Sequence, residues 1–425
     1  MTIKRKIKKY LKIIFSTLII VCTGFIAFIL NETKDEVDAN LSNIDAKLQA
    51  FYNKERMAGF AVSVFNTDSI IYSNGFGYAD MAHDIPYTTN TIQYIASISK
   101  TTIGVALLKA QELGLLHIDD PINKHLPFEV INPQFPNHQI TIKHLATHTS
   151  SLDYNEKVVE SLYIDEAEKD KSIEEFIKNY FVNDYYGVVN FTNHEPGKNW
   201  NYSNIGAGLA AYIIEHTAKM PFSEFTHKYI FDPLQMENTN WFETASDSTK
   251  LSRYYAPEKN STITEFKTSG VQLYPARDIL TNIMDLTKYC QAILSQNHKI
   301  LSDHSYELML DPKLDTSVTN QEVDNTGLFW MIDRNQYGIT YQLTGSNGGD
   351  NCINTMMWFD PVNKLGYIFI GNTGASELNK VNHIWIYRTL VSLGDHILIN
   401  NPKNTFSQKV GYRWHNLYNR VRGLF

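Results

Sequence analysis

Runs of β-branched and aromatic residues sit at the two ends of this chain, with helix-type patterns between them. Phe60 to Phe65 and Ser69 to Gly77 flank Asn66-Thr67-Asp68, while 353–359 and 365–371 flank Asp360-Pro361-Val362-Asn363-Lys364. Such runs joined by short polar links read as antiparallel hairpins. Further strand signals fall at 327–332 and 337–343. The interior carries amphipathic helical segments at 172–181, 205–217 and 222–230, and another helix covers 283–295. A sheet has to be completed by strands from both ends, so the pattern predicts an α/β fold of the α+β type. One antiparallel sheet is drawn from both chain ends and flanked by helices, with a mainly helical insertion at about 115–270. A helix is expected within 34–56, where Leu41, Ile44, Leu48 and Phe51 recur at helical spacing. Ser376 is expected to cap a final helix ending near Leu393, with Gly394 after it.

The amino terminus suggests a location. Residues 1–12 carry Lys4, Arg5, Lys6, Lys8, Lys9 and Lys12, and Ile13 to Leu30 holds no charge. Eighteen helical residues cover about 27 Å, close to a bilayer core of about 30 Å. Basic residues first place 1–12 in the cytoplasm and send 31–425 outward. The expectation is a single-pass transmembrane helix at 13–30 in the cytoplasmic membrane, with the rest periplasmic or extracellular. A cleaved signal peptide is the alternative reading. Residues 396–425 hold five Lys/Arg, no Asp/Glu, and the aromatics Tyr412, Trp414, Tyr418 and Phe425. This basic aromatic tail reads as poorly ordered, or as a second contact with an anionic membrane.

A net charge of −7 argues against nucleic acid as a partner. Cys22, Cys290 and Cys352 can build neither a disulfide framework nor a paired zinc site. His144 and His148 lie four residues apart, but His-Leu-Ala-Thr-His lacks the glutamate of a zinc protease. No metal or other cofactor is expected.

Three elements carry chemistry. Ser97-Ile98-Ser99-Lys100 opens a long apolar helix running to Leu113 with Gly114 as its stop. Residues three apart share a helix face, so an amine comes within reach of a hydroxyl. Burial can lower the pKa of that lysine until it takes the serine proton. Tyr202-Ser203-Asn204 can add a phenol and an orienting amide. Leu343-Thr344-Gly345-Ser346 reads as a strand offering a backbone N–H, followed by Asn347-Gly348-Gly349, where glycine lets a substrate approach closely; the plainer alternative is a strand end and a glycine turn.

These elements, in this order, resemble the serine β-lactamase and penicillin-binding-protein superfamily. The likeness is to its class C-like branch of esterases, D-amino-acid peptidases, D-alanyl-D-alanine carboxypeptidases and β-lactamase-related proteins. The segments Tyr94 to Lys100, Ile140 to Leu152 and Ile230 to Met236 share the likeness, which spans roughly 45–395. It implies a hydrolase domain over 34–395 in which Ser97 attacks a carbonyl and forms an acyl-enzyme. Lys100 and Tyr202 would share the base role and Asn204 would hold the network. Backbone N–H groups of Ser97 and Ser346 would form the oxyanion hole, and Leu343, Thr344 and Gly345 would line the substrate.

Three departures bear on the substrate. Leu343 stands where the superfamily usually has Lys or His, Arg277-Asp278 where Gly-Gly follows Pro-Ala, and Ser151 where Gly follows His-Thr-Ser. Leu343 cannot pair with the carboxylate of a β-lactam or D-alanyl terminus, unless Arg277 takes its place. The expected substrate is therefore a small ester, amide or peptide, with esterase or peptidase action favoured over true β-lactamase action. The rival reading is a catalytically silent penicillin-binding-like module that binds peptidoglycan or an envelope partner.

Overall fold

The computed structural model describes residues 39–413, except 55–56, 154–162, 165–172, 183–190, 244–248, 259–261, 268–269, 320–322, 335–338, 340 and 376–379. The expected membrane segment at 13–30, the basic residues 1–12, Ser376 and 414–425 lie outside the described residues. Among the described residues no helix is long and apolar enough to cross a membrane.

The strands are β1 (Gly59–Asn66), β2 (Ile70–Asp80), β3 (Ile85–Pro86), β4 (Gln93–Tyr94), β5 (Tyr163–Ile164), β6 (Tyr254–Pro257), β7 (Ile263–Phe266), β8 (Gly270–Val271), β9 (Leu280–Thr281), β10 (Asn325–Thr326), β11 (Met331–Asp333), β12 (Leu343–Asp350), β13 (Ile353–Asp360) and β14 (Leu365–Gly371). The helices are α1 (Ile44–Lys54), α2 (Lys100–Glu112), α3 (Ile142–Ala146), α4 (Ile173–Phe181), α5 (Asn204–Ala218), α6 (Phe222–Thr226), α7 (Ile283–Leu294), α8 (Asp303–Leu310) and α9 (Lys380–Asn400).

Eight strands form one sheet in the order β10-β11-β12-β13-β14-β1-β2-β3. The two ends of the chain meet at its centre, where β1 pairs antiparallel with β14 from Phe60↔Gly371 to Asn66↔Leu365. Side chains alternate along each strand, so the sheet feeds two cores. Met357, Phe359, Ile368 and Ile370 join α2, α5 and α7 on one face. Met356, Trp358, Leu365, Tyr367 and Phe369 join α1 and α9 on the other.

Both expected hairpins form, and their turns are held by side chains. Asn66 Oδ1 accepts from the Asp68 and Ser69 N–H groups, and Asp360 Oδ1 from those of Val362 and Asn363. Gly114 takes φ +71° just past α2, as a helix stop requires.

The third stretch departs from expectation. Residues 327–332 are not one strand: Thr326 pairs with Met331 across a tight return. Their apolar run instead buries Leu328 and Trp330 as anchors in the core. Of the strand expected at 337–343, residues 337, 338 and 340 lie outside the described residues; the strand expected at Leu343-Thr344-Gly345-Ser346 forms, and it runs on through Asn347-Gly348-Gly349 to Asp350. Helix α9 passes the expected stop at Gly394 and continues to Asn400. Gly394 serves close packing: a Cβ there would collide with the Tyr367 hydroxyl. Residues 396–400 of the basic segment thus complete α9, and 406–413 form a further helical stretch.

Candidate active site

Ser97 sits on a 3-10 turn, Ala96–Ser99, that runs directly into α2. Ala96 holds φ +49°, a left-handed conformation costly for a residue with a Cβ. The turn is over-determined by its surroundings. The Ile95 N–H donates to the Ile279 carbonyl at 3.0 Å, and the Ile279 N–H donates to Ser99 Oγ at 3.2 Å. Thr355 Oγ1 of β13 donates to the carbonyls of Ile95 at 2.8 Å and Gly348 at 3.1 Å. Gly348 has no side chain where Ile95 and Ala96 pass, which lets β12 run against the serine turn.

Lys100 lies on the first turn of α2, 3% exposed. Its Nζ donates to Ser97 Oγ at 3.0 Å and to the Ala276 carbonyl at 2.7 Å. Burial pushes its pKa down to about 7, helped by the positive charge of Arg277 and opposed by Asp278. The amine can therefore be neutral near physiological pH.

Tyr202 precedes α5, whose N-cap is Ser203: Ser203 Oγ accepts from the Gly206 N–H at 2.9 Å. The cap fixes where the preceding residue points. The Tyr202 hydroxyl donates to Ser97 Oγ at 2.8 Å, and the Lys100 amine lies 5.0 Å from the centre of its ring. One serine oxygen thus receives both a buried amine and a phenol.

The other expected residues are placed as follows. Asn204 is the first residue of α5, and the carbonyl of Ala276, rather than its amide, is the second hydrogen-bond partner of Lys100. Ser346 lies on β12 opposite Met357, one residue past the end of β11, whose last pairing is Met331↔Gly345. Among the described residues, β12 from Ser346 onward therefore has a strand partner on one side only. Thr344 and Gly345 lie in the three-residue stretch paired to β11. Leu343 is fully buried in the α1/α9 core. The guanidinium of Arg277 donates to Asp278 Oδ1 at 3.0 Å and to Asp350 Oδ2.

His148, noted above only as half of an incomplete zinc pair, stands beside the phenol. Its ring centroid is 4.6 Å from that of Tyr202, and its Nδ1 accepts from the Ser203 N–H at 3.2 Å. Burial, reinforced by the Lys100 charge, lowers its pKa to about 3, so it stays neutral. His144 has a separate task, its Nδ1 accepting from the Thr141 N–H in a capping box at α3. The Ser151 departure has a local reason too. Its φ of +63° is the region that favours glycine, and its hydroxyl compensates by accepting from Asn132 Nδ2 at 3.1 Å.

A cleft of about 380 Å³ opens at Ser97 and Tyr202. Met331, Met356, Ala375 and Ile384 give it apolar walls, with Asn347, Asn354 and His383 as polar points. Asn354 Nδ2 donates to Nδ1 of His383, whose pKa burial lowers to about 3. No described residue lining the cleft carries a charge at neutral pH.

The Beta-lactamase family model matches residues 44–387, most of the chain. The chain belongs to the beta-lactamase family. Among curated relatives it is 29% identical over 280 residues to "Putative penicillin-binding protein PbpX" of Bacillus subtilis (strain 168), covering 66% of this chain and 65% of that one. It is 24% identical over 320 residues to Protein flp of Staphylococcus aureus (strain MW2), covering 70% and 61%. It thus spans slightly less than two thirds of either relative. The beta-lactamase-family fold also matches solved structures. The octameric penicillin-binding protein homologue from Pyrococcus abyssi has a TM-score of 0.67 at 19% identity, covering 86% of this chain and 82% of that one. The D-amino acid amidase from Ochrobactrum anthropi SV3 has a TM-score of 0.67 at 20% identity, covering 83% and 99%.

Proposed function

We propose that this beta-lactamase-family protein is a membrane-anchored serine hydrolase that works through an acyl-enzyme. Neutral Lys100 takes the Ser97 proton as Ser97 Oγ attacks the carbonyl carbon, and Tyr202 passes a proton to the departing alkoxide or amine. Water then attacks the acyl-enzyme through the same groups. The backbone N–H groups of Ser97 and Ser346 are the proposed oxyanion donors, and the open edge of β12 is the proposed substrate rail. The observation that carries the reading is the convergence of Lys100 Nζ and the Tyr202 hydroxyl on one serine oxygen, at 3.0 and 2.8 Å.

The uncharged cleft and the buried Leu343 favour an ester or amide with a neutral acyl group over a β-lactam. The uncharged run at 13–30 after a basic leader supports anchoring, with the hydrolase domain on the outer side. A fluorophosphonate probe tests the chemistry: the protein should label at Ser97, and Ser97→Ala should not. Equal labelling of both, or none of the unsubstituted protein, removes the assignment.

A further inference from the structure

The two described ends of the chain leave the molecule at one end of the sheet. Asn66 pairs with Leu365, so the β1–β2 and β13–β14 turns share that end. Helix α1 starts two to four strand steps from it, since Asp45 Oδ1 accepts from the Tyr72 hydroxyl at 2.7 Å and from Asn74 Nδ2 at 2.8 Å, and these residues pair with Val64 and Val62. Just before α1, the Ala39 N–H donates to Ser392 Oγ in the later half of α9 at 3.3 Å. After α9, the Tyr412 hydroxyl donates at 2.6 Å to Asn363 Oδ1 in the β13–β14 turn.

This end carries exposed apolar groups and positive charge together. Leu41, Val362 and Phe406 are 58%, 82% and 81% exposed. Lys364, Lys403, Lys409 and Arg413 accompany them; Asp68 on the β1–β2 turn and Asp45 on α1 are exposed carboxylates nearby, and the link 31–38 carries Glu32, Asp35, Glu36 and Asp38 against Lys34. The apolar run 13–30 lies just upstream, joined to Ala39 by residues 31–38, which reach at most roughly 28 Å. The catalytic cleft lies toward the other end. Its wall residue Asn354 pairs with Gly371, six strand steps, or about 20 Å, from Leu365, and the serine turn packs on Thr355, five steps from that end, while the near wall at Met331 is in register, through Gly345 and Trp358, with Tyr367, two steps away.

We propose that this end of the molecule rests on an anionic lipid surface, with Leu41, Val362 and Phe406 at the headgroups and the lysines among the phosphates. The inference builds on the anchored-hydrolase reading, and adds an orientation: the Ser97 end of the cleft, five strand steps from Leu365, is held roughly 17 Å from the bilayer surface. The substrate then belongs to the aqueous side, as a soluble ester or amide or a group on an envelope polymer, and not to an acyl chain inside the membrane.

The test is depth-dependent quenching on the full chain, reconstituted into phosphatidylglycerol/phosphatidylcholine vesicles that carry an interfacial nitroxide lipid. Cys22→Ser removes one thiol, and Cys290 and Cys352 are buried. A fluorophore is then placed at Val362→Cys, at Phe406→Cys, or at Met81→Cys beyond the far end of β2. Labels at 362 and 406 should be quenched at least about three-fold more than the label at 81. Quenching at 406 should fall by about half in phosphatidylcholine alone, and likewise with Lys403→Glu and Lys409→Glu. A chain that floats with vesicles but shows equal quenching at all three sites overturns this orientation and leaves the anchor standing. A chain that does not float overturns both. Quenching indifferent to headgroup charge overturns the electrostatic half. Val362 and Phe406 are almost wholly exposed, so the labels displace no packing.

Discussion

His148 lies against Tyr202, ring centroids 4.6 Å apart, while its Nδ1 accepts the backbone N–H of Ser203. The histidine therefore holds both the phenol and the residue after it, without touching Ser97. Replacing it with Phe keeps an aromatic wall but leaves the Ser203 N–H unpaired, a loss of about 1–3 kcal/mol. The expected result for His148→Phe is a kcat lowered about ten-fold or more with KM little changed. His148→Asn, which keeps an acceptor and tolerates the φ of +56° at this site, should recover part of it. Steady-state kinetics on p-nitrophenyl butyrate decide. A change confined to KM would show that the histidine shapes binding instead.

The amine of Lys100 gives a pH signature. Its pKa is lowered to about 7, so the neutral base exists above that pH and is lost below it. The rate constant kcat/KM should rise with an inflexion near pH 7. The direction of two substitutions follows from the named causes. Arg277→Gln removes a depressing charge and should move the inflexion up, while Asp278→Asn removes a raising one and should move it down. The stability sign agrees with burial of a neutral amine. Between about 7 and the ordinary lysine value the unfolded chain binds more protons, so this group's contribution to stability grows as pH rises. A profile flat from pH 6 to 9 would count against Lys100 as the base.

Two adjacent glycines on β12 should differ sharply. A Cβ on Gly348 would strike the Ile95 carbonyl and Thr355 Oγ1, whereas a Cβ on Gly349 meets nothing within 4 Å. Gly348→Ala should push the strand off the serine turn, costing about 1–3 kcal/mol and most of the activity. Gly349→Ala should stay within about 0.5 kcal/mol. Thermal melts paired with probe labelling read both effects, and equal behaviour of the two variants would contradict the packing described.

Much of this site was legible because local chemistry left local marks. Ser97 and Lys100 are three residues apart on a helix start, and that spacing alone brings amine and hydroxyl together. The hairpins at 66–69 and 360–364 were visible through Asn66 and Asp360, side chains that satisfy turn N–H groups. Gly394 reads locally as a helix stop and Gly348 as room for a substrate, but each also answers a distant neighbour, Tyr367 or Ile95, that no short window contains. His148 was passed over likewise, since its partner Tyr202 is remote in sequence. At 327–332 an apolar run was read as a strand, but its Leu328 and Trp330 fill the core from a tight return.

Leu343 provides a last test, because sequence and structure give different reasons for the same preference. Read as sequence, it is a missing cation at a carboxylate site, which a lysine would restore. In the folded protein its side chain is fully buried with Met356, Trp358 and Tyr367 in the core under α1 and α9. An ammonium placed there has lost its water, a burial costing several kcal/mol. Leu343→Lys is therefore expected to lower Tm by at least several degrees and to bring no gain in nitrocefin turnover. Neutral short-chain esters should remain the better substrates of the unsubstituted protein by ten-fold or more over their carboxylate-bearing analogues. A stable Leu343→Lys variant that hydrolyses nitrocefin faster would mean that the side chain at this position faces the cleft, and that the neutral-substrate preference has another origin.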